Sequence, residues 1–183
     1  MSLNKGKRPS KFLSLVLRHR PEHIGIQINA HGWTDVELLL DQLGKHGLML
    51  SRDDLDKIVA ENNKKRFSYS EDGKSIRANQ GHSIKVDLQL KKKTPPWILY
   101  HGTTVERWKE IKKTGGLSKM NRHHVHLSAD KETAINVGSR HRGRTVILVI
   151  ETPLMIAKGY DFFMSDNGVW LVDEVPNQFI VEV

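Results

Sequence analysis

The chain has 183 residues, 38% hydrophobic and 27% charged, enough for one large domain or two small ones that each bury a core. Its net charge of +8 favours a polyanionic partner, either nucleic acid or an anionic membrane surface. The absence of cysteine excludes disulfides, thiolate catalysis and cysteine-ligated zinc. No apolar run approaches the roughly 20 residues of a membrane span, and the N-terminus lacks a signal-peptide core; with no cysteine in the chain, a reducing cytoplasm is the expected setting.

In chain order, Ser10 is placed to cap a first helix whose Phe12, Leu13, Val16 and Leu17 share one face, with Pro21 enforcing its end. Thr34 with Glu37 reads as a capping box ahead of Val36, Leu39, Leu40 and Leu43, and Ser51 with Asp54 repeats the signal ahead of Leu55, Ile58 and Val59. Residues 66–70 then alternate at period two, Asp72-Gly73 supplies a tight turn, and residues 75–78 return as the second strand of a hairpin. Three helices followed by a hairpin is the order of a winged helix, a fold that binds nucleic acid or protein.

A lysine run and two prolines mark a linker at residues 91–96, which separates a first lobe, 1–90, from a second, 97–183. The second lobe is strand-rich. Trp97 to Tyr100 reads as a buried strand that delivers a His101-Gly102-Thr103 corner into a helix from Val105 to Lys113. Further strands are expected at residues 123–128, 145–151, 168–172 and 179–183, with a short helix at 130–137. Few long crossovers imply an α+β fold with a mixed or antiparallel sheet. The glycine patterns of Rossmann and P-loop nucleotide sites are absent.

The chemistry-bearing residues are cationic or imidazole. Arg18-His19-Arg20 ends the first helix, where cations complement the helix dipole. Arg66 and Arg77 lie on the hairpin strands, and guanidinium groups grip phosphate bidentately. The Gly81-His82-Ser83 loop is placed either to donate hydrogen bonds to the same phosphate or to serve as an ordinary connection. The corner places an imidazole, a bare backbone and a hydroxyl around one point, which suits a ligand with a ribose and a carboxamide. If residues 122–128 form one strand, Arg122, His124, His126 and Ser128 share the face turned to a cleft, with Val125 and Leu127 turned to the core. Closely spaced histidines also raise zinc, but no third or fourth ligand stands at a familiar spacing. No serine elbow, kinase motif set or carboxylate pair is evident. Asp166-Asn167-Gly168 reads as a turn, and Asp173-Glu174 as the solvated end of a strand.

Taken together, residues 13–19, Gly32-Trp33, Lys65-Arg66-Phe67, residues 76–83, Leu99 to Thr103, Arg122 to Ser128 and Asn167 to Leu171 resemble the RNA 2′-phosphotransferase family (the Tpt1/KptA type) across essentially the whole chain. The resemblance implies an N-terminal winged-helix lobe and a C-terminal ADP-ribosyltransferase-like lobe with a mainly antiparallel split sheet, binding NAD⁺ without a Rossmann motif. It implies removal of an internal 2′-monophosphate from RNA of the tRNA splice-junction kind. The phosphate attacks the nicotinamide ribose C1″ and expels nicotinamide; O2″ then attacks the phosphorus, releasing 2′-OH RNA and ADP-ribose 1″,2″-cyclic phosphate. The family's essential Arg-His-Arg-Arg set falls on Arg18, His19, Arg66 and Arg122. In this reading Arg18, His19 and Arg66 grip the RNA phosphate with Arg77, His82 and Ser83 in support, and Arg122 stabilises charge as O2″ attacks. His101, Gly102, Thr103, His126 and Ser128 contact NAD⁺, which is consumed. No metal and a monomeric protein without membrane contact are expected. Two rivals stand beside it: transfer of ADP-ribose to terminal phosphates of nucleic acid, and a non-catalytic nucleic-acid-binding module.

Overall fold

The computed structural model describes residues 7–61 and 65–182. Its contacts divide the chain into two compact units, one running to Gln89 and the other beginning at Leu90. The protein is α+β, and every strand pairing among the described residues is antiparallel. No helix among the described residues is long and apolar enough to cross a membrane.

The first unit runs α1 (Lys7–Arg18), a 3-10 turn (Pro21–Ile24), β1 (Thr34–Asp35), α2 (Val36–Lys45), α3 (Arg52–Ala60), β2 (Phe67–Tyr69) and β3 (Ser75–Ala78). Its sheet has the order β1-β3-β2. The apolar helix faces bury Leu13, Val16, Leu17, Leu39, Leu43 and Leu55 against Phe67 and Ile76 of the hairpin. Ser51 and Asp54 do cap α3 reciprocally, as the spacing predicts. Two other caps differ. Helix α1 is already formed at Lys7, so Ser10 lies inside it and its carbonyl accepts the Ser14 hydroxyl at 2.8 Å. At α2 the cap is Asp35, which accepts the Leu38 N–H at 2.8 Å, because Thr34 is drawn into β1 opposite Ile76.

Helix α3 and the hairpin are tied through one carboxylate. Asp56 accepts from the Tyr69 hydroxyl at 2.6 Å and from Arg52 Nε at 2.9 Å, while Arg52 also reaches the Gly73 carbonyl at the hairpin turn. The Tyr69 hydrogen bond, followed by that of Arg52, holds the Asp56 carboxyl below its usual range.

The second unit runs β4 (Ile98–Thr104), α4 (Val105–Lys113), β5 (Gly116–Ser118), β6 (Val125–Leu127), α5 (Lys131–Gly138), β7 (Thr145–Glu151), α6 (Thr152–Ala157), β8 (Phe163–Met164), β9 (Trp170–Val172), β10 (Glu174–Pro176), a 3-10 turn (Asn177–Phe179) and β11 (Ile180–Glu182). Three small sheets result, ordered β11-β7-β4, β6-β9-β8 and β10-β5. A bridge between Tyr100 and Ser128 fastens the end of β6 to β4. The core gathers Leu99, Leu148, Ile150, Trp170, Val172 and Val175. Four elements, α6, β5, β8 and β10, were too short to read from periodicity, and Val183 of the last expected strand lies outside the described residues.

The His-Gly-Thr segment is not a corner. It lies within β4, which pairs with β7 over seven residues from Ile98 to Thr104, and Thr104 caps α4 by accepting the Arg107 N–H at 3.3 Å. Nor is the start of this strand buried: Trp97 is 83% exposed and Ile98 is also exposed, leaving Leu99 as its core residue.

Candidate active site

In the first unit, the end of α1 meets the loop that follows β3. The Ser83 N–H donates to the Arg18 carbonyl at 3.0 Å, and the Ser83 hydroxyl lies 2.9 Å from His19 Nδ1. The same loop begins at Asn79, whose N–H donates to the Arg66 carbonyl at 2.9 Å, extending the β2–β3 ladder by one rung. One five-residue segment, 79–83, therefore bonds to Arg18, His19 and Arg66. Arg18 and Arg66 are half-buried and His19 is exposed. The bonds to Arg18 and Arg66 are to their main-chain carbonyls and fix the roots of two guanidinium side chains, a group that binds phosphate through charge-assisted hydrogen bonds.

Two residues expected to support the phosphate have other surroundings. The Arg77 guanidinium lies 4.5 Å from the centroid of the Trp33 ring, a cation–π contact that also brings Nη1 within 3.5 Å of the Leu88 carbonyl. His82 is 1% exposed, its ring enclosed by the protein. A side chain at Gly32 would stand 3.7 Å from His82 Nε2 and 3.2 Å from Leu88, which places His82 in the packed layer with Gly32, Leu88 and Arg77.

In the second unit, strand pairing puts Leu99, His101 and Thr103 on the face of β4 that also carries Ile150, Leu148 and Val146 of β7. His101 Nδ1 is 3.0 Å from the carbonyl of His126. A carbonyl only accepts, so Nδ1 carries the proton and Nε2 presents a lone pair. Burial pushes the His101 pKa below its ordinary 6.5; the carbonyl opposes this, and the charges of Arg122 and His141 add to it. The ring is neutral at neutral pH. Arg122 Nη1 donates to His126 Nδ1 at 3.0 Å, so one short run joins Arg122, His126 and His101.

The other expected cofactor residues fall as follows. Tyr100 exchanges both main-chain hydrogen bonds with Ser128, at 2.9 and 2.8 Å. Two residues on, strand alternation directs the Gly102 N–H and C=O toward that same edge. Gly102 also has a packing reason to lack a side chain, since a Cβ would lie 1.8 Å from the Ala134 carbonyl of α5. Thr103 is 3% exposed, and its hydroxyl is enclosed. The expected alternation of residues 122–128 holds only from Val125. Residues 122–124 form a bend, and the His124 ring packs 5.6 Å from that of Phe163 instead of joining Arg122 and His126.

A further histidine–arginine contact in the second unit is not marked by any motif above. Arg107 Nη1 lies 3.4 Å from His141 Nε2, and His141 is held below its ordinary pKa by burial, then by Arg107, Arg122 and Arg140. The signal was present in Ser139-Arg140-His141-Arg142-Gly143-Arg144, which carries three arginines beside the histidine.

Against known proteins, residues 4–174 match the family described as RNA 2′-phosphotransferase, Tpt1 / KptA family. A probable RNA 2′-phosphotransferase of Burkholderia pseudomallei is 56% identical over 173 residues, covering 94% of this chain and 93% of its own. That of Fusobacterium nucleatum is 50% identical over 170 residues, covering 93% and 94%. The protein of the same description from Nostoc punctiforme aligns with 100% of both chains at 46% identity. With nearly its full length matched, the chain belongs to the RNA 2′-phosphotransferase family, a family of transferases.

Proposed function

We propose that this protein is an NAD⁺-dependent RNA 2′-phosphotransferase that clears an internal 2′-monophosphate from RNA, with the first unit a winged-helix lobe and the second an ADP-ribosyltransferase-like lobe. The observation that carries the reading is the bonding of Ser83 to both Arg18 and His19, on the same segment that bonds Arg66. That cluster suits a dianionic phosphate on a ribose. The helix–strand–helix–helix–hairpin order of residues 7–78 supports the winged-helix assignment.

NAD⁺, as consumed co-substrate, supplies the electrophilic ribose C1″ and the neighbouring O2″. The residues of the second unit fit it: the lone pair on His101 Nε2 can accept from a ribose hydroxyl, and the paired N–H and C=O of Gly102 can meet a carboxamide. Arg18, His19 and Arg66 hold the 2′-phosphate in its anionic form. A phosphate nucleophile arrives already ionised, so the residues need to position it more than to deprotonate it. Arg122, exposed and anchored on His126, stabilises negative charge as the phosphorus is attacked.

The test is incubation with NAD⁺ and a short RNA carrying one internal 2′-phosphate, without added metal. The expected products are RNA with a free 2′-OH, nicotinamide and ADP-ribose cyclic phosphate. RNA that gains ADP-ribose and stops there would favour transfer to phosphate ends; intact NAD⁺ would favour a binding module.

A further inference from the structure

Asn79 follows β3 as a buried amide, 3% exposed, beside the residues that would grip the phosphate. A buried side-chain NH₂ group is unfavourable unless it finds an acceptor. Its Nδ2 donates to the Lys65 carbonyl at 2.8 Å, and its main-chain N–H donates to the Arg66 carbonyl at 2.9 Å. One residue thereby clamps two consecutive carbonyls at the entry to β2. Because Lys65 offers a carbonyl, only the NH₂ end of the amide can face it, so the orientation of Asn79 follows from chemistry.

What the clamp holds is strained. Lys65 has φ +39°, in the left-handed region that lysine rarely occupies. Released, this backbone would relax toward ordinary values and swing the Cα–Cβ bond of the next residue, Arg66. A long guanidinium side chain keeps its reach only while its root is held. The other end of the same loop fastens Arg18 and His19 through Ser83.

We infer that Asn79 is a positioning residue for Arg66: its side-chain amide locks the left-handed Lys65 backbone so that Arg66 is set for the 2′-phosphate alongside Arg18 and His19. The inference rests on the reading proposed above and adds a residue that acts through another.

The experiment measures kcat and KM on 2′-phosphorylated RNA with NAD⁺ for the unmodified protein, Asn79→Asp, Arg66→Ala and the double variant. Asn79→Asp keeps the shape but sets a carboxylate oxygen against the Lys65 carbonyl. Its kcat/KM should fall about tenfold or more, the scale of a lost buried hydrogen bond, and Arg66→Ala should remove that effect in the double variant. A residue that merely supports the fold would subtract the same factor in both backgrounds. Asn79→Ser, a smaller change, is run in parallel with melting temperatures in case Asn79→Asp does not fold. Asn79 variants with normal kcat/KM, or losses that persist unchanged without Arg66, would overturn this assignment alone. An unmodified protein that neither turns over 2′-phosphorylated RNA nor binds it better than the 2′-hydroxyl RNA would overturn the functional reading, and the assignment with it.

Discussion

His101 Nδ1 lies 3.0 Å from the main-chain carbonyl of His126, and that single hydrogen bond decides what the imidazole can do. It fixes the proton on Nδ1 and leaves Nε2 as an acceptor. Burial favours this neutral form and pushes the pKa below 6.5. In an NMR titration the His101 ring should show the Nδ1–H tautomer and a midpoint below 6.5. A midpoint at or above 6.5 would contradict the assignment. The sign for stability follows: the unfolded chain takes up the proton more readily, so the contribution of His101 is complete above pH 6.5 and declines as pH falls below it.

Ser83→Ala removes the hydroxyl from His19 while leaving the Ser83 N–H on the Arg18 carbonyl. Because Ser83 is exposed, the melting temperature should hardly move. The turnover of 2′-phosphorylated RNA should drop about tenfold, the worth of one hydrogen bond that orients an imidazole. Ser83→Thr keeps the hydroxyl and should restore most of the rate. Equal rates for Ser83→Ala and the unmodified protein would show that His19 needs no such partner.

Arg122 both anchors on His126 and offers charge. Arg122→Ala should cut kcat by about 10²–10³, the scale for removing a charge-stabilising donor. Arg122→Lys keeps the charge but loses the planar fork, so it should recover only part of the rate. Steady-state kinetics at saturating NAD⁺ separate the outcomes; full recovery by lysine would mean charge alone suffices.

Gly102→Ala is a test of packing. The added methyl would stand 1.8 Å from the Ala134 carbonyl, and backbone cannot swing aside as a flexible side chain can. The expected cost is about 1–3 kcal/mol or more, as for overpacked cores, read as a lower melting temperature. An unchanged melting temperature would mean α5 moves freely over β4.

Much of the local structure was legible in the residues themselves. The Ser51–Asp54 capping box, the Asp72-Gly73 hairpin turn and the start of α4 after Thr104 all depend on neighbours within four residues, so their signals are carried by short strings. The same holds for the α+β class and for the cationic character of the candidate site. Where a distant segment competes for a residue, the local signal loses. Thr34 leaves its cap to pair with Ile76, and His101-Gly102-Thr103 stays in a strand because β7 lies alongside.

By itself, then, the sequence determined the family, the helices and hairpin of the first unit, and which residue types carry the chemistry. Only the tertiary structure decided their surroundings. Ser83 reaches His19 across 64 positions and His101 reaches His126 across 25, contacts that set a hydroxyl beside one imidazole and fix the tautomer of the other. His82 and Thr103 are buried, and the Arg77 guanidinium lies over the Trp33 ring. Which face a side chain shows, and whether water reaches it, depends on chain segments far apart in sequence, and no short-range pattern encodes that.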